Sequence, residues 1–209
     1  MFDTEQKSEH TEQLSSLKVN ANPTKDFIGF LTDLLKTGVV VFALAFLLRY
    51  FAIQPYIVDG ESMMPNYINN EYLLAEKITY LFGQPQRGDV VVFKYPKNPS
   101  VNYIKRIIGL PGEDIKIENN KITIANSSNP EGFVLSENYI PKDDITNAIN
   151  GNTLEKHLNE NEFFVLGDNR EHSSDSREWG VLPKANISGR AWLTLVPLKE
   201  FGIHKHATY

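Results

Sequence analysis

Between residues 38 and 48 the chain reads GVVVFALAFLL, eleven consecutive positions without a polar side chain. Any fold must find these residues an apolar environment. A cleaved signal peptide would begin near the N-terminus with a basic flank and end at a small-residue cut site. Here the apolar stretch starts late and runs into RYFAIQPY. A buried core helix fits the eleven-residue length. The flanks favour a transmembrane helix over residues 34–53, because Lys36 and Arg49 stand near its ends, where long stems reach the headgroups. Lys18, Lys25 and Lys36 precede or enter this span, and after Arg49 the next basic residue is Lys77. The positive-inside rule therefore expects a cytoplasmic N-terminus and an extracytoplasmic remainder.

The span divides the chain into three expected parts. Residues 1–33 are a polar tail and membrane approach, residues 34–53 the span, and residues 54–209 a folded domain. An apolar fraction of 41% supports a packed core. The domain reads as mainly β. VVVFKY at 90–95 follows the turn signal GQPQRGD. Residues 114–118 and 121–125 alternate charged and apolar side chains around Asn119-Asn120, which predicts a hairpin. Residues 163–166 and 190–196 are further strands, and the Asn/Ser/Asp/Gly-rich stretch 126–161 reads as an irregular insert or small subdomain.

Several chemistries are excluded. With no cysteine there is no disulfide, thiol nucleophile or thiolate metal site. The sequence has no phosphate-binding glycine loop, dinucleotide fingerprint or histidine pair at metal-ligating spacing, so no cofactor and no metal is expected. A net charge of −5 without a basic stripe argues against nucleic acid.

Four segments remain, each ordinary when taken alone. VDGESMMP at 58–65 reads as a turn serine ahead of a proline, and RGDVVVF at 87–93 as a turn entering a strand. In YIKRIIGLPGE at 103–113, Lys105 and Arg106 are adjacent, so on a strand they face opposite ways. LGDNREHSSDSREWG at 166–180 is a polar loop suited either to a surface turn or to a hydrogen-bonded support network.

Together, in this order, these segments resemble the type I signal peptidase family, the serine–lysine leader peptidases of bacterial membranes. The resemblance covers the apolar span and nearly all of residues 50–200. It implies a catalytic domain of coiled antiparallel β-sheets behind one N-terminal transmembrane helix, with substrate bound as an extended strand. It implies Ser62 as nucleophile and Lys105 as general base. It also implies Ser173 as the hydroxyl that orients the lysine, Asp175 and Arg177 as buried ionic support, and Asp168 and Asn169 in a GDN turn. It implies secretory pre-proteins as substrates, cut beside membrane lipid.

This chain departs from the family pattern at three positions. Gly60 stands where some members place a serine donor, leaving the oxyanion to backbone N–H, chiefly that of Ser62. Asn66 replaces a usual threonine, and His172 a usual Asp or Asn.

The chemistry requires a neutral lysine. From ~10.4 its pKa must fall by roughly 3 units, a bias of about 4 kcal/mol, to serve at neutral pH. Burial among Ile104, Ile107, Ile108 and the two methionines would supply it. Residues 56–58 and Met63-Met64 are apolar enough to meet lipid as well as substrate. A self-cleaving repressor-type protease would need a DNA-binding domain that residues 1–30 have no room for. A non-catalytic, membrane-anchored β-module that binds extended peptides by strand addition is the alternative of another class. Such a module has no need of Ser62 and Lys105.

Overall fold

The computed structural model describes residues 23–141, 144–149, 151 and 153–204, with backbone only at residues 23 and 48–51. The polar tail lies outside these residues up to position 22. The chain divides into two units, residues 1–47 and 48–209.

The described part of the first unit is helical. Helix α1, Pro23–Phe51, opens with a proline, whose missing N–H costs nothing in a first turn, and carries Asp26 where the helix dipole favours an acid. Its stretch Thr24–Leu47 is apolar and buries none of itself. At 1.5 Å per residue those 24 residues span about 36 Å, enough to cross a bilayer core of ~30 Å. The helix starts before the expected span because residues 23–33 combine helix-compatible residues with Phe27, Ile28, Phe30 and Leu31. At the other end Gln54 precedes Pro55 and is pushed out of the helical region. Ile53, expected within the span, is instead the first residue of a strand.

The second unit is mainly β, and every strand pairing in it is antiparallel. In chain order its elements are β1 (Ile53–Ile57), β2 (Tyr72–Glu76), helix α2 (Ile78–Phe82), β3 (Val90–Tyr95) and β4 (Asn98–Gly109). Next come β5 (Asp114–Glu118), β6 (Lys121–Asn126), β7 (Asn129–Val134), β8 (Thr153–His157) and β9 (Glu162–Leu166). Helix α3 (Ser176–Trp179), β10 (Leu182–Pro183), β11 (Ile187–Val196) and β12 (Gly202–Ile203) complete it. One sheet runs β1-β2-β11-β3-β4-β9-β10, with β12 added on β11; a second runs β7-β6-β5-β8.

Strand β3 shows why the larger sheet forms. Val90 and Val92 face one core cluster, with Val58, Met63, Tyr67 and Leu73. Val91 and Phe93 face another, with Ile107, Phe163, Val165 and Trp179. A strand buried on both faces reads as an unbroken apolar run rather than an alternation. The β5–β6 hairpin alternates instead. Ile115 pairs with Ile124 and Ile117 with Ile122, all four inward, while Asn119 and Asn120 take positive φ of 51° and 60° in the turn. Each buried isoleucine contributes roughly 1.5–3 kcal/mol.

The insert 126–161 holds more regular structure than its composition implies. It supplies β7 and β8, the two edges of the smaller sheet. β7 contains Pro130 and Gly132 and is largely exposed, and an edge strand tolerates both. In β8 only Leu154 is even half-buried. Two residues expected to be able to meet lipid lie inside the core: Val58 and Met63 are 4% and 1% exposed. They anchor the loop between β1 and β2.

Candidate active site

Ser62 sits in that loop, which is pegged from below by the buried side chains of Met63 and Tyr67. Gly60 turns it with a φ of 98° and donates its N–H to Asn69 Oδ1. The GDN turn holds it from the side: Asn169 N donates to the Ser62 carbonyl at 3.1 Å and Asn169 Nδ2 to that of Glu61 at 3.2 Å.

Lys105 comes from the middle of β4 and is 4% exposed. Its Nζ lies 2.7 Å from Ser62 Oγ and 2.9 Å from the carbonyl of Ile104. The Tyr103 ring centroid is 5.3 Å from the amine. Burial lowers the Lys105 pKa to about 8, against the upward pull of Asp175 and Asp168. The shift from 10.5 corresponds to about 3 kcal/mol of bias against the charged amine.

Arg106 takes the other face of the strand. Its guanidinium grips Asp168 bidentately at 2.8 and 2.6 Å and donates to the Gly88 carbonyl. Asp168 is fully buried and also accepts from Asn66 Nδ2 at 2.9 Å. Asp175, equally buried, pairs bidentately with Arg177 at 2.8 Å, caps α3 and accepts the N–H of Gly167. Removing one partner from a buried pair costs about 3–5 kcal/mol, so each aspartate fixes its segment firmly.

Ser173 is 9% exposed, and its Oγ has no hydrogen-bond partner. The expected bond to Lys105 is not formed in this structure, where Nζ contacts Ser62 and Ile104. Ser173 nevertheless lies close by: a Cβ on Gly167 would collide with both its hydroxyl and the Ser62 carbonyl. His172 is exposed, with Nδ1 3.3 Å from Asn169 Oδ1.

Ser62 and Lys105 line a cleft of about 360 Å3 whose walls include Tyr56, Val58, Leu73, Val92 and Ile104. Two strand edges border it. Among the described residues β1 pairs only with β2, and β9 meets β4 only from Arg106 to Gly109, leaving residues 98–105 unpaired on that side. Among the described residues, no group of three or more His, Asp or Glu is placed to hold a metal.

The sequence reading missed the contacts around Asn66, Arg106 and Arg170. A usable signal existed for Arg106. Its strand is apolar on both sides of the KR pair, so the cation facing away from Ser62 had to be buried and paired.

A serine hydroxyl against a buried, pKa-lowered amine, on antiparallel sheets, is the arrangement of a serine hydrolase. The particular family follows from comparison with known proteins. The chain belongs to the signal peptidase family, peptidase S26, whose family model matches residues 31–196. A signal peptidase I of Leptolyngbya laminosa is 37% identical over 178 residues, covering 80% of this chain and 81% of that protein. Signal peptidase I S of Bacillus subtilis is 33% identical over 166 residues, covering 79% and 89%. A solved signal peptidase I from Enterococcus faecalis is 30% identical, covering 51% of this chain and 96% of that one at a TM-score of 0.39.

Proposed function

We propose that this signal peptidase removes N-terminal signal peptides from exported pre-proteins with Ser62 as nucleophile and Lys105 as general base. The observation that carries the reading is the 2.7 Å contact between Ser62 Oγ and a lysine amine whose pKa burial lowers to about 8. Neutral Lys105 accepts the hydroxyl proton as Ser62 attacks the scissile carbonyl. The resulting ammonium returns that proton to the leaving amine as the C–N bond breaks. A water deprotonated by the same amine then hydrolyses the ester and regenerates Ser62. The backbone N–H of Ser62 stabilises the oxyanion.

A neutral amine that accepts from Ser62 keeps two N–H groups. Ile104 O takes one. Ser173, buried and unpartnered, is the hydroxyl assigned to the other, while Asp175–Arg177 and Asp168–Asn169 hold the loops in place. The two free strand edges suit a substrate in extended conformation, added as a strand.

The basic residues before Arg49 support a cytoplasmic N-terminus, with residues 54–209 as the extracytoplasmic catalytic domain. Ile57, Tyr72 and Val196 are cross-strand neighbours and all exposed, and Leu198, Phe201 and Ile203 are exposed too. This apolar surface suits contact with lipid.

The test is incubation with a precursor carrying a small-x-small cut site, followed by mapping of the new N-terminus. Ser62→Ala and Lys105→Ala should each abolish cleavage, and the double variant should be no worse than either. Wild-type turnover by either variant overturns the assignment. Protease added outside intact cells should reach residues 54–209; protection there would invert the topology.

A further inference from the structure

The insert does more than complete the smaller sheet. Its described residues 137–141 and 144–147 form a strap beside the site, and three arginines tie it down. Arg170 clamps the Glu137 carboxylate at 2.6 and 2.5 Å and donates to buried Thr146 at 2.6 Å. Arg106 lies 4.3 Å from the centroid of the Tyr139 ring. Arg177 donates to the carbonyl of Asn147 at 3.4 Å.

Each of these cations also holds a segment of the site. Arg106 grips Asp168, Arg177 grips Asp175, and Arg170 donates to the carbonyl of Gly167 at 3.0 Å. The strap and the site therefore share their ionic framework. One side chain from the nucleophile loop joins them directly. Asn66 is four residues past Ser62, and its Nδ2 donates to the Tyr139 carbonyl at 2.8 Å and to Asp168 Oδ2 at 2.9 Å.

We infer that Asn66 is a positioning residue, through which the strap at residues 137–141 and Asp168 together fix the loop that presents Ser62. The inference rests on the catalytic reading of Ser62. An amide has two N–H donors and serves two acceptors at once, whereas a hydroxyl supplies one. Asn66→Ala should therefore lose both ties, and Asn66→Thr should keep at most one.

A loop released at this point leaves the strand-borne walls of the cleft in place, Tyr56 on β1, Leu73 on β2, Val92 on β3 and Ile104 on β4, and Val58 stays packed in the core. The loss should fall on the chemical step. A small misplacement of a nucleophile costs up to about 100-fold in rate. Asn66→Ala is expected to lower kcat about 10- to 100-fold with KM changed less than about twofold, and Asn66→Thr to fall between.

The route through the strap is tested by a double-mutant cycle. Glu137→Gln weakens the Arg170 clamp and should also lower kcat. Combined with Asn66→Ala it should cost less than the product of the two single effects, because both act through one element. The assay is peptide cleavage by the full chain in detergent, with melting curves confirming folded protein and Ser62→Ala as control. Should Asn66→Ala fail to fold, Asn66→Thr and Glu137→Gln carry the same comparison. A wild-type kcat in the Asn66 variants, a loss confined to KM, or fully additive effects would overturn the inference. Turnover by Ser62→Ala would instead overturn the catalytic reading beneath it.

Discussion

The pH profile of peptide cleavage follows from the burial of Lys105. Only the neutral amine accepts a proton from Ser62, so the active form is the deprotonated one. Burial places the pKa at about 8. The neutral fraction is then roughly a half at pH 8, about a tenth at pH 7 and about a hundredth at pH 6. A solvated lysine near 10.4 would be neutral in only about one molecule in 2,500 at pH 7. kcat/KM measured on a short peptide in detergent should thus rise about tenfold per pH unit up to a bend near 8 and stay level above it. A flat profile between pH 6 and 9 would remove any titrating base. A bend that vanishes in His172→Asn would assign the base to the imidazole, and one above 10 would mean that the amine is solvated. The sign can be tested further with Asp175→Asn. Burial pushes the lysine pKa down and Asp175 pulls it up, so removing that carboxylate should move the bend below 8. The same change strands Arg177 and should destabilise the fold by about 3–5 kcal/mol, visible as a lower Tm.

Ser173→Ala deletes a buried hydroxyl that has no partner in this structure, so Tm should not fall. kcat should drop while KM holds; a change confined to KM would place Ser173 in substrate binding instead. Gly167→Ala would drive a methyl into Ser173 Oγ and the Ser62 carbonyl, lowering both Tm and kcat; wild-type values for both would refute the close packing. Deleting residues 1–51 removes the apolar helix and leaves β1 whole. The ratio of kcat/KM on vesicle-bound precursor to kcat/KM on a short peptide should fall, because enzyme and substrate no longer share a surface. An unchanged ratio would mean that the helix only localises the enzyme.

Much of this was legible in the chain, for identifiable reasons. VVVFKY marks β3 because its β-branched run is short and entered through the turn signal GQPQRGD, whereas the same VVVF at 39–42 continues into a longer apolar stretch and is helical. The Asn119-Asn120 turn marks its hairpin because few residues other than asparagine and glycine accept two successive positive φ values. Ser62 and Lys105 were found by their motifs, and the structure brings them to hydrogen-bonding distance. The strap was not legible. Glu137, Tyr139 and Thr146 carry no periodicity, and what holds them is a set of arginines 30 or so positions away in sequence. The role of Asn66 was not legible either, because its two acceptors, Tyr139 O and Asp168, lie 73 and 102 residues further on. The unsatisfied Ser173 hydroxyl is likewise a matter of atomic placement that residue type does not specify.

The unpaired edges of β1 and β4 beside the cleft have a consequence for timing. A strand edge recognises whatever backbone is free to lie against it, and most of that recognition is blind to side chains. Residues already committed to a helix or a folded sheet have spent those N–H and C=O groups and have none to offer. On this reading the cleft measures whether the junction is still unstructured as much as what it is made of. A precursor whose mature part folds up to the cut site would be refused despite a perfect sequence. A helical segment reaching that site would first have to unwind, and the unwinding equilibrium would set the rate. Selection of this kind favours a chain still emerging over one already finished.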